Sequence, residues 1–265
     1  MNQVAQISEI FSSLQGEGTH MGERHLFLRF EACNIHCEYC DELGKPGSDF
    51  DVDAVVQKLI EADREYGPHS YISLTGGEPL LYVSFLKPLI PKLKKHGFRI
   101  YLETNGILWK ALDQVIVLTD VIAMDLKPAS VTKEQSFLEE HKRFLKIALQ
   151  KETFIKMIIS KEIDLAEFKE LCLMVRDISV RHCEGPPIFR GGGEAIPSTE
   201  IASAMPGTLP RNDVPVLILQ PISAEIEGHE DPELMRLLGE LQTLALGVLS
   251  DVRIVPRLHK ILKIR

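Results

Sequence analysis

The stretch HLFLRFEACNIHCEYCDE, residues 25–42, decides how the rest of the chain is read. Its first part, His25–Glu31, alternates as a β-strand does. Leu26, Leu28 and Phe30 fall on one face, and His25, Phe27, Arg29 and Glu31 fall on the other. Its second part sets Cys33, Cys37 and Cys40 in a C-x3-C-x2-C spacing, which a tight loop can turn towards one small object. Three readings are open for that triplet: ordinary buried cysteines, a zinc site, or an iron–sulfur cube. Zinc needs a fourth ligand, and His36, His182 and Cys183 all lack the usual second-pair spacing. A cube held by three cysteines leaves one iron open to another molecule.

Outward from this stretch, short apolar runs alternate with longer amphipathic ones. Strands are expected at Tyr71–Thr75, Phe98–Thr104, Val121–Lys127, Thr153–Ser160 and Val214–Gln220, with a last one at Val252–Val255. Helices are expected at Asp51–Glu65, at Leu165–Val175 and around Leu234, Leu237, Leu238 and Leu241. Thr132 and Gln135 read as a capping box opening a further helix that runs to about Leu149. This alternation predicts an α/β fold with a parallel sheet, either a barrel or a doubly wound sheet. Parallel strands are normally apolar on both faces, yet Arg29, Glu103, Asp125, Lys127 and Lys156 interrupt theirs. They mark either solvent-facing edges or the mouth of a barrel, where such folds build their active sites.

Composition narrows the class. The chain has 265 residues, 45% of them hydrophobic, enough for a sizeable core. Its 30 Lys and Arg against 38 Asp and Glu leave a net charge of -8, which argues against nucleic acid or an anionic membrane as partner. No apolar run reaches membrane-spanning length, and the N-terminus lacks the basic-then-apolar pattern of a secretory signal, so a cytoplasmic protein is expected. Five cysteines do not make a disulfide framework. Cys172 sits on an apolar helix face and reads as core, while Cys183 has no assignment. One domain is expected over 1–265, with an irregular Gly- and Pro-rich insertion at about 181–213. Within it, Gly191–Gly193 could be a phosphate cradle or part of a mobile linker or lid.

Three motifs together carry a resemblance. The cysteine triplet with Tyr39 before its last member, Gly76-Gly77-Glu78-Pro79 after a strand, and Glu103–Gly106 (ETNG) after the next resemble the radical S-adenosylmethionine (SAM) superfamily. The resemblance implies a partial (β/α)6 barrel of the TIM type. It implies that Cys33, Cys37 and Cys40 hold a 4Fe-4S cluster whose fourth iron binds SAM, cleaved reductively to a 5′-deoxyadenosyl radical. By position, Tyr39, Cys40, Asp41, Gly76, Gly77, Glu78, Glu103, Asp125, Leu126 and Lys127 would contact SAM.

A narrower resemblance rests on EIFSSLQGEG (residues 9–18), Gly22, FLRFEACNIHCEYCD (27–41), LTGGEPLL (74–81) and VPRLHK (255–260). These are similar to the 7-carboxy-7-deazaguanine synthase family, lyases that convert 6-carboxy-5,6,7,8-tetrahydropterin to 7-carboxy-7-deazaguanine with loss of ammonia, on the route to queuosine. The family implies substrate contacts from Leu14, Gln15, Gly16, Arg29 and Thr75, with Arg29 on the carboxylate. It also implies a homodimer and a flavodoxin- or ferredoxin-type electron donor. Mg²⁺ is the third implied cofactor. Its usual threonine ligand is replaced here by Glu42, and a Ser-Pro pair by Asp125-Leu126. These departures leave room for a radical SAM activating enzyme or a divergent member with another substrate. A zinc-binding module without catalysis is the alternative of another class.

Overall fold

The computed structural model describes residues 4–40, 45–184, 214–222, 231–257 and 261. The expectations for Asp41, Glu42, Gly191–Gly193 and most of the 181–213 insertion therefore lie outside the described residues.

Among these residues one sheet of nine strands organises the chain: β1 (Val4–Leu14), β2 (Arg24–Phe30), β3 (Ser48–Asp51), β4 (Tyr71–Gly76), β5 (Arg99–Thr104), β6 (Val121–Leu126), β7 (Glu152–Ile159), β8 (Leu217–Pro221) and β9 (Val252–Ile254). Their order is β3-β1-β2-β4-β5-β6-β7-β8-β9. From β2 to β9 all pairings are parallel; β1 runs antiparallel to both β2 and β3. The helices are α1 (Val52–Tyr66), α2 (Val83–Lys95), α3 (Trp109–Val115), α4 (Ala129–Thr132), α5 (Leu138–Ala148), α6 (Leu165–Glu184) and α7 (Pro232–Leu246).

The two faces of the sheet differ in chemistry. Leu26, Leu28, Ile72, Leu74, Ile100, Leu102, Ile122 and Ile155 pack under the helices in the main core. Tyr71, Tyr101, Val121, Ala123, Phe154 and Ile218 form a separate cluster on the other face. That second face is concave. Glu17, just beyond β1, reaches Lys156 on β7 at 2.5 Å across the intervening strands, which an unbent sheet would not allow. The sheet is nonetheless open, with β3 and β9 at its edges. This is the expected partial barrel, the barrel alternative having prevailed over the doubly wound sheet.

Several elements depart from the sequence expectation. The capping box at Thr132 does not open a helix. Thr132 closes α4, its hydroxyl donating to the Pro128 carbonyl at 2.9 Å, and Lys133 then turns to φ 61° before α5 begins at Leu138. Local side-chain-to-backbone bonding of this kind competes with capping. Helix α2 carries Pro88 and Pro91 in its interior, which hides it from a sequence reading. Burying Phe85, Leu86, Leu89, Ile90 and Leu93 outweighs the two lost backbone bonds. Helix α6 continues beyond Val175 to Glu184, so residues 181–184 belong to a helix rather than to an irregular insertion. The strand that leads into the LQGEG turn is 11 residues long. Cys172 is core, as expected, at 2% exposure.

Candidate active site

The cysteine loop leaves the C-terminal end of β2 and is held from three sides. The Gly77 amide donates to the Phe30 carbonyl at 2.9 Å, and the Glu78 amide to the Ala32 carbonyl at 2.8 Å. The His36 amide donates to Glu134 Oε1 at 2.7 Å. Ile35 and Cys37 pack on Ile107 and Phe137. A side chain at Gly77 would run into the Ala32 carbonyl, and one at Gly76, which has φ 115°, into the Phe30 backbone. Only glycine lets the β4 end lie this close to the loop. Burial pushes the Cys33 and Cys37 thiols up.

Glu78 serves the scaffold. It is fully buried, accepting from the Leu80 amide at 3.0 Å, the Asn105 amide at 2.8 Å and the Thr104 hydroxyl at 3.0 Å. Burial pushes its carboxyl up to about 7 despite those donors. The ends of β4 and β5 are thereby tied together. The Asn105 side chain donates to Asn34 Oδ1 at 2.8 Å within the cysteine loop. Behind this turn, His141 Nε2 meets the Asn105 carbonyl at 3.1 Å, and burial lowers its ring to about 4, so it is the neutral donor there.

A cavity opens inside the C-terminal end of the barrel, and it collects the three cysteines with Tyr39, Gly76 and Gly77. It is also lined by Leu14, Gln15 and Gly16 from the end of β1 and by Arg29 and Thr75 on β2 and β4. Glu103, Asp125 and Lys127 complete the sequence-predicted residues that line it. Glu78 stands behind the wall, and Leu126 points to the main core. Asp41 and Glu42 lie outside the described residues.

The interrupting charges of the parallel strands meet in this cavity, with the exception of the exposed Glu31. Lys127 Nζ reaches Asp125 Oδ2 at 2.9 Å, and Lys156 Nζ lies 3.1 Å from Asp125 Oδ1. Burial alone would raise Asp125, but Lys127 and Lys156 outweigh it and bring the carboxyl down to about 2. Lys156 also binds Glu17 Oε2 at 2.5 Å, and Arg257 Nε approaches Glu17 Oε1 at 3.4 Å. Opposite charges buried together satisfy one another at short range, the condition for tolerating them there. Glu103 accepts from Gln15 Nε2 and from the Thr75 hydroxyl, both at 2.9 Å, and its burial raises its pKa. A residue read as touching SAM is thus bonded to two read as touching substrate. Phe11 and Phe27 stack at 4.9 Å beside it, and the Arg29 guanidinium lies 5.4 Å over the Phe11 ring.

Glu17, Lys156, Arg257 and Asn105 also line the cavity, a place that no motif assigned to them. Lys156 had a signal, a charge inside an apolar strand. Arg257 stands within VPRLHK, but nothing local tells that it meets Glu17.

Residues 28–191 match the radical SAM superfamily. The chain is 31% identical to the 7-carboxy-7-deazaguanine synthase of Geobacter sulfurreducens, covering 97% of this chain and 96% of the relative. It is 30% identical to that of Methanopyrus kandleri, over 96% and 92%. The crystal structure of QueE from Escherichia coli is similar with a TM-score of 0.56 at 18% identity, covering 97% of this chain and 95% of that one, a likeness of fold. With sequence similarity running from the β1 end of the cavity to its far wall, the chain belongs to the 7-carboxy-7-deazaguanine synthase family of the radical SAM superfamily.

Proposed function

We propose that this chain is a lyase that converts 6-carboxy-5,6,7,8-tetrahydropterin to 7-carboxy-7-deazaguanine with release of ammonia. The observation that carries this reading is the shared cavity: the three cysteines, the glycine pair and the Leu14–Gly16 segment line it together.

The residues present fit a 4Fe-4S cluster better than a single zinc ion. A tetrahedral zinc–thiolate site holds its sulfurs about 3.8 Å apart, given Zn–S bonds of about 2.3 Å. Among the described residues, Cys33, Cys37 and Cys40 do not form a group with all donors within 4.8 Å of one another. A cube takes each thiolate on a different iron and so accepts a wider triangle. Cys33, Cys37 and Cys40 would hold the cluster, and the glycine-lined β4 end and Tyr39 would flank SAM. When bound, these groups supply a carbon-centred radical that takes a hydrogen atom from the substrate.

The chain's own residues bind, orient and shield. Arg29, over the Phe11 ring and 3.6 Å from Glu9 Oε2 through its Nε, would pair with a carboxylate on the substrate. Gln15, Thr75 and Glu103 form one hydrogen-bonded edge suited to the donors and acceptors of a pterin. Phe11 and Phe27 keep that side apolar and exclude water. The Lys156–Asp125–Lys127 chain fixes the far wall, so the charges need no rearrangement when ligands enter.

Mg²⁺, with Glu42 as its ligand, belongs to the same proposal, as do a homodimer, a cytoplasmic location and a flavodoxin- or ferredoxin-type electron donor. Among the described residues no helix is long and apolar enough to cross a membrane. The test is anaerobic reconstitution followed by assay with SAM, a reductant and the carboxy-tetrahydropterin. Formation of 7-carboxy-7-deazaguanine and ammonia is expected. SAM cleavage with the pterin untouched would point to an activating enzyme or another substrate, and absence of both cluster and cleavage to a zinc module.

A further inference from the structure

At the N-terminal end of the same barrel, opposite the cysteine loop, three side chains converge that take no part in the cavity. His20 ends a short 3-10 turn (Gly18–His20), Glu23 precedes β2, and His25 is its second residue. His20 Nδ1 lies 3.0 Å from Glu23 Oε2, and His25 Nε2 lies 3.7 Å from the same oxygen. All three donor atoms are within 4.8 Å of one another, the one such group among the described residues.

The remaining ring nitrogens are already occupied. His20 Nε2 meets Glu152 Oε1 at 2.7 Å, and Glu152 is itself steadied by Arg99 at 3.8 Å. His25 Nδ1 meets the Ser73 hydroxyl at 2.8 Å. Histidine ligands of metal ions are held in this manner, with the distal nitrogen bonded to a carboxylate or hydroxyl so that the other faces the ion. His25 Nε2 is the second, independent observation. The residue is fully buried, and this nitrogen makes no hydrogen bond of normal length, its facing group being Glu23 Oε2 at 3.7 Å. A buried polar atom left unbonded is costly unless something occupies its direction.

We propose that His20, Glu23 and His25 bind one divalent transition-metal ion of the zinc type. Two imidazole nitrogens and one carboxylate oxygen suit zinc, which binds such donors at about 2.0–2.2 Å and places tetrahedral neighbours about 3.3 Å apart. The observed 3.0 and 3.7 Å separations bracket that value. Water fills the fourth position, and the half-exposed Glu23 provides the entry path. Zinc takes unprotonated imidazole nitrogens, so any proton on the ligating nitrogens leaves to solvent on binding.

The ion would clamp the loop between β1 and β2. That loop already closes through the Gln15 amide on the Glu23 carbonyl at 2.7 Å and the Gly22 amide on the Gln15 carbonyl at 2.8 Å. It carries Gln15 and Glu17 into the cavity, so the site acts on positioning from the far end of the barrel. Metal binding here is independent of what the cavity binds.

The experiment uses the cluster-reconstituted protein, freed of other metals by chelator dialysis and titrated anaerobically with Zn²⁺. One zinc per chain is expected, with iron content unchanged. X-ray absorption at the zinc edge should show only nitrogen and oxygen neighbours, with the outer-shell pattern of two imidazoles. Ser73→Ala should weaken zinc binding by about 10–100-fold, the usual effect of removing an orienting partner. The surface change Glu23→Gln, which removes a ligand, should weaken it further. Absence of binding, sulfur at about 2.3 Å in the zinc shell, or unaltered affinity in Glu23→Gln would each overturn the site.

Discussion

The two ends of the barrel interior solve the same difficulty with different chemistry. At the mouth, Glu17, Asp125, Lys127 and Lys156 are buried as charges and neutralise one another. At the floor, His20, His25, Tyr71 and Tyr101 are packed as rings, His25 stacking on Tyr71 at 4.9 Å and His20 standing edge-on to Tyr101 at 5.5 Å. Rings tolerate loss of one partner because their attraction is spread over many weak contacts. A buried charge does not, since each relies on one or two opposite charges. The mouth is therefore preorganised for polar ligands and fragile, whereas the floor is a packed plug that closes the barrel behind it.

Substitutions can break this contrast. Lys156→Met removes the cation shared by Glu17 and Asp125, and the loss expected for breaking a buried pair is about 3–5 kcal/mol. Chemical denaturation measures it, and a loss under about 1 kcal/mol, the scale of an exposed pair, would mean that Arg257 and Lys127 alone suffice. Gly18→Ala probes the joint between the two ends. Gly18 has φ 75°, and a side chain there would strike the Phe154 ring. Positive-φ strain of about 1–2 kcal/mol and overpacking of about 1–3 kcal/mol should both appear as a lowered Tm. The floor should respond least: Phe154→Leu keeps a branched apolar side chain and should lose clearly less than the about 3–5 kcal/mol of a full Phe→Ala truncation, and a loss matching that of Lys156→Met would erase the distinction.

The smallest effect is one of pH. The Asp125 carboxyl is held below its usual value of 3.8, at about 2, so the stability it contributes is present above pH 3.8 and is lost as pH falls through about 2. A carboxyl-carbon NMR titration should find Asp125 still ionised at about pH 3, between those two values. Protonation at an ordinary carboxylate value would show that Lys127 and Lys156 do not face it in solution.

Much of the site was legible in the chain because its signals are local. The cysteine triplet, the glycine pair at Gly76 and Gly77, and the ETNG turn each lie within a few residues at a strand end, where spacing alone decides which atoms converge. The charged strand positions were legible for a different reason. A parallel strand has no water-facing side, so Glu103, Asp125 and Lys156 stand out in their apolar runs and demand partners or ligands. Local signals also misled. Thr132 looked like a helix start but bonds back to Pro128, and the prolines of α2 concealed a helix held by its buried face.

By itself, then, the amino-acid sequence determined the parallel α/β class, the cysteine loop and the family resemblance, all of which depend on periodicity and short spacings. Tertiary structure decided which charges pair and what lies at the floor. Lys156 meets Glu17 across 139 residues of chain, and Glu152 meets His20 across 132. Such contacts exist only because the sheet curls its polar face inward, and curvature is a property of all its strands together rather than of any segment read alone.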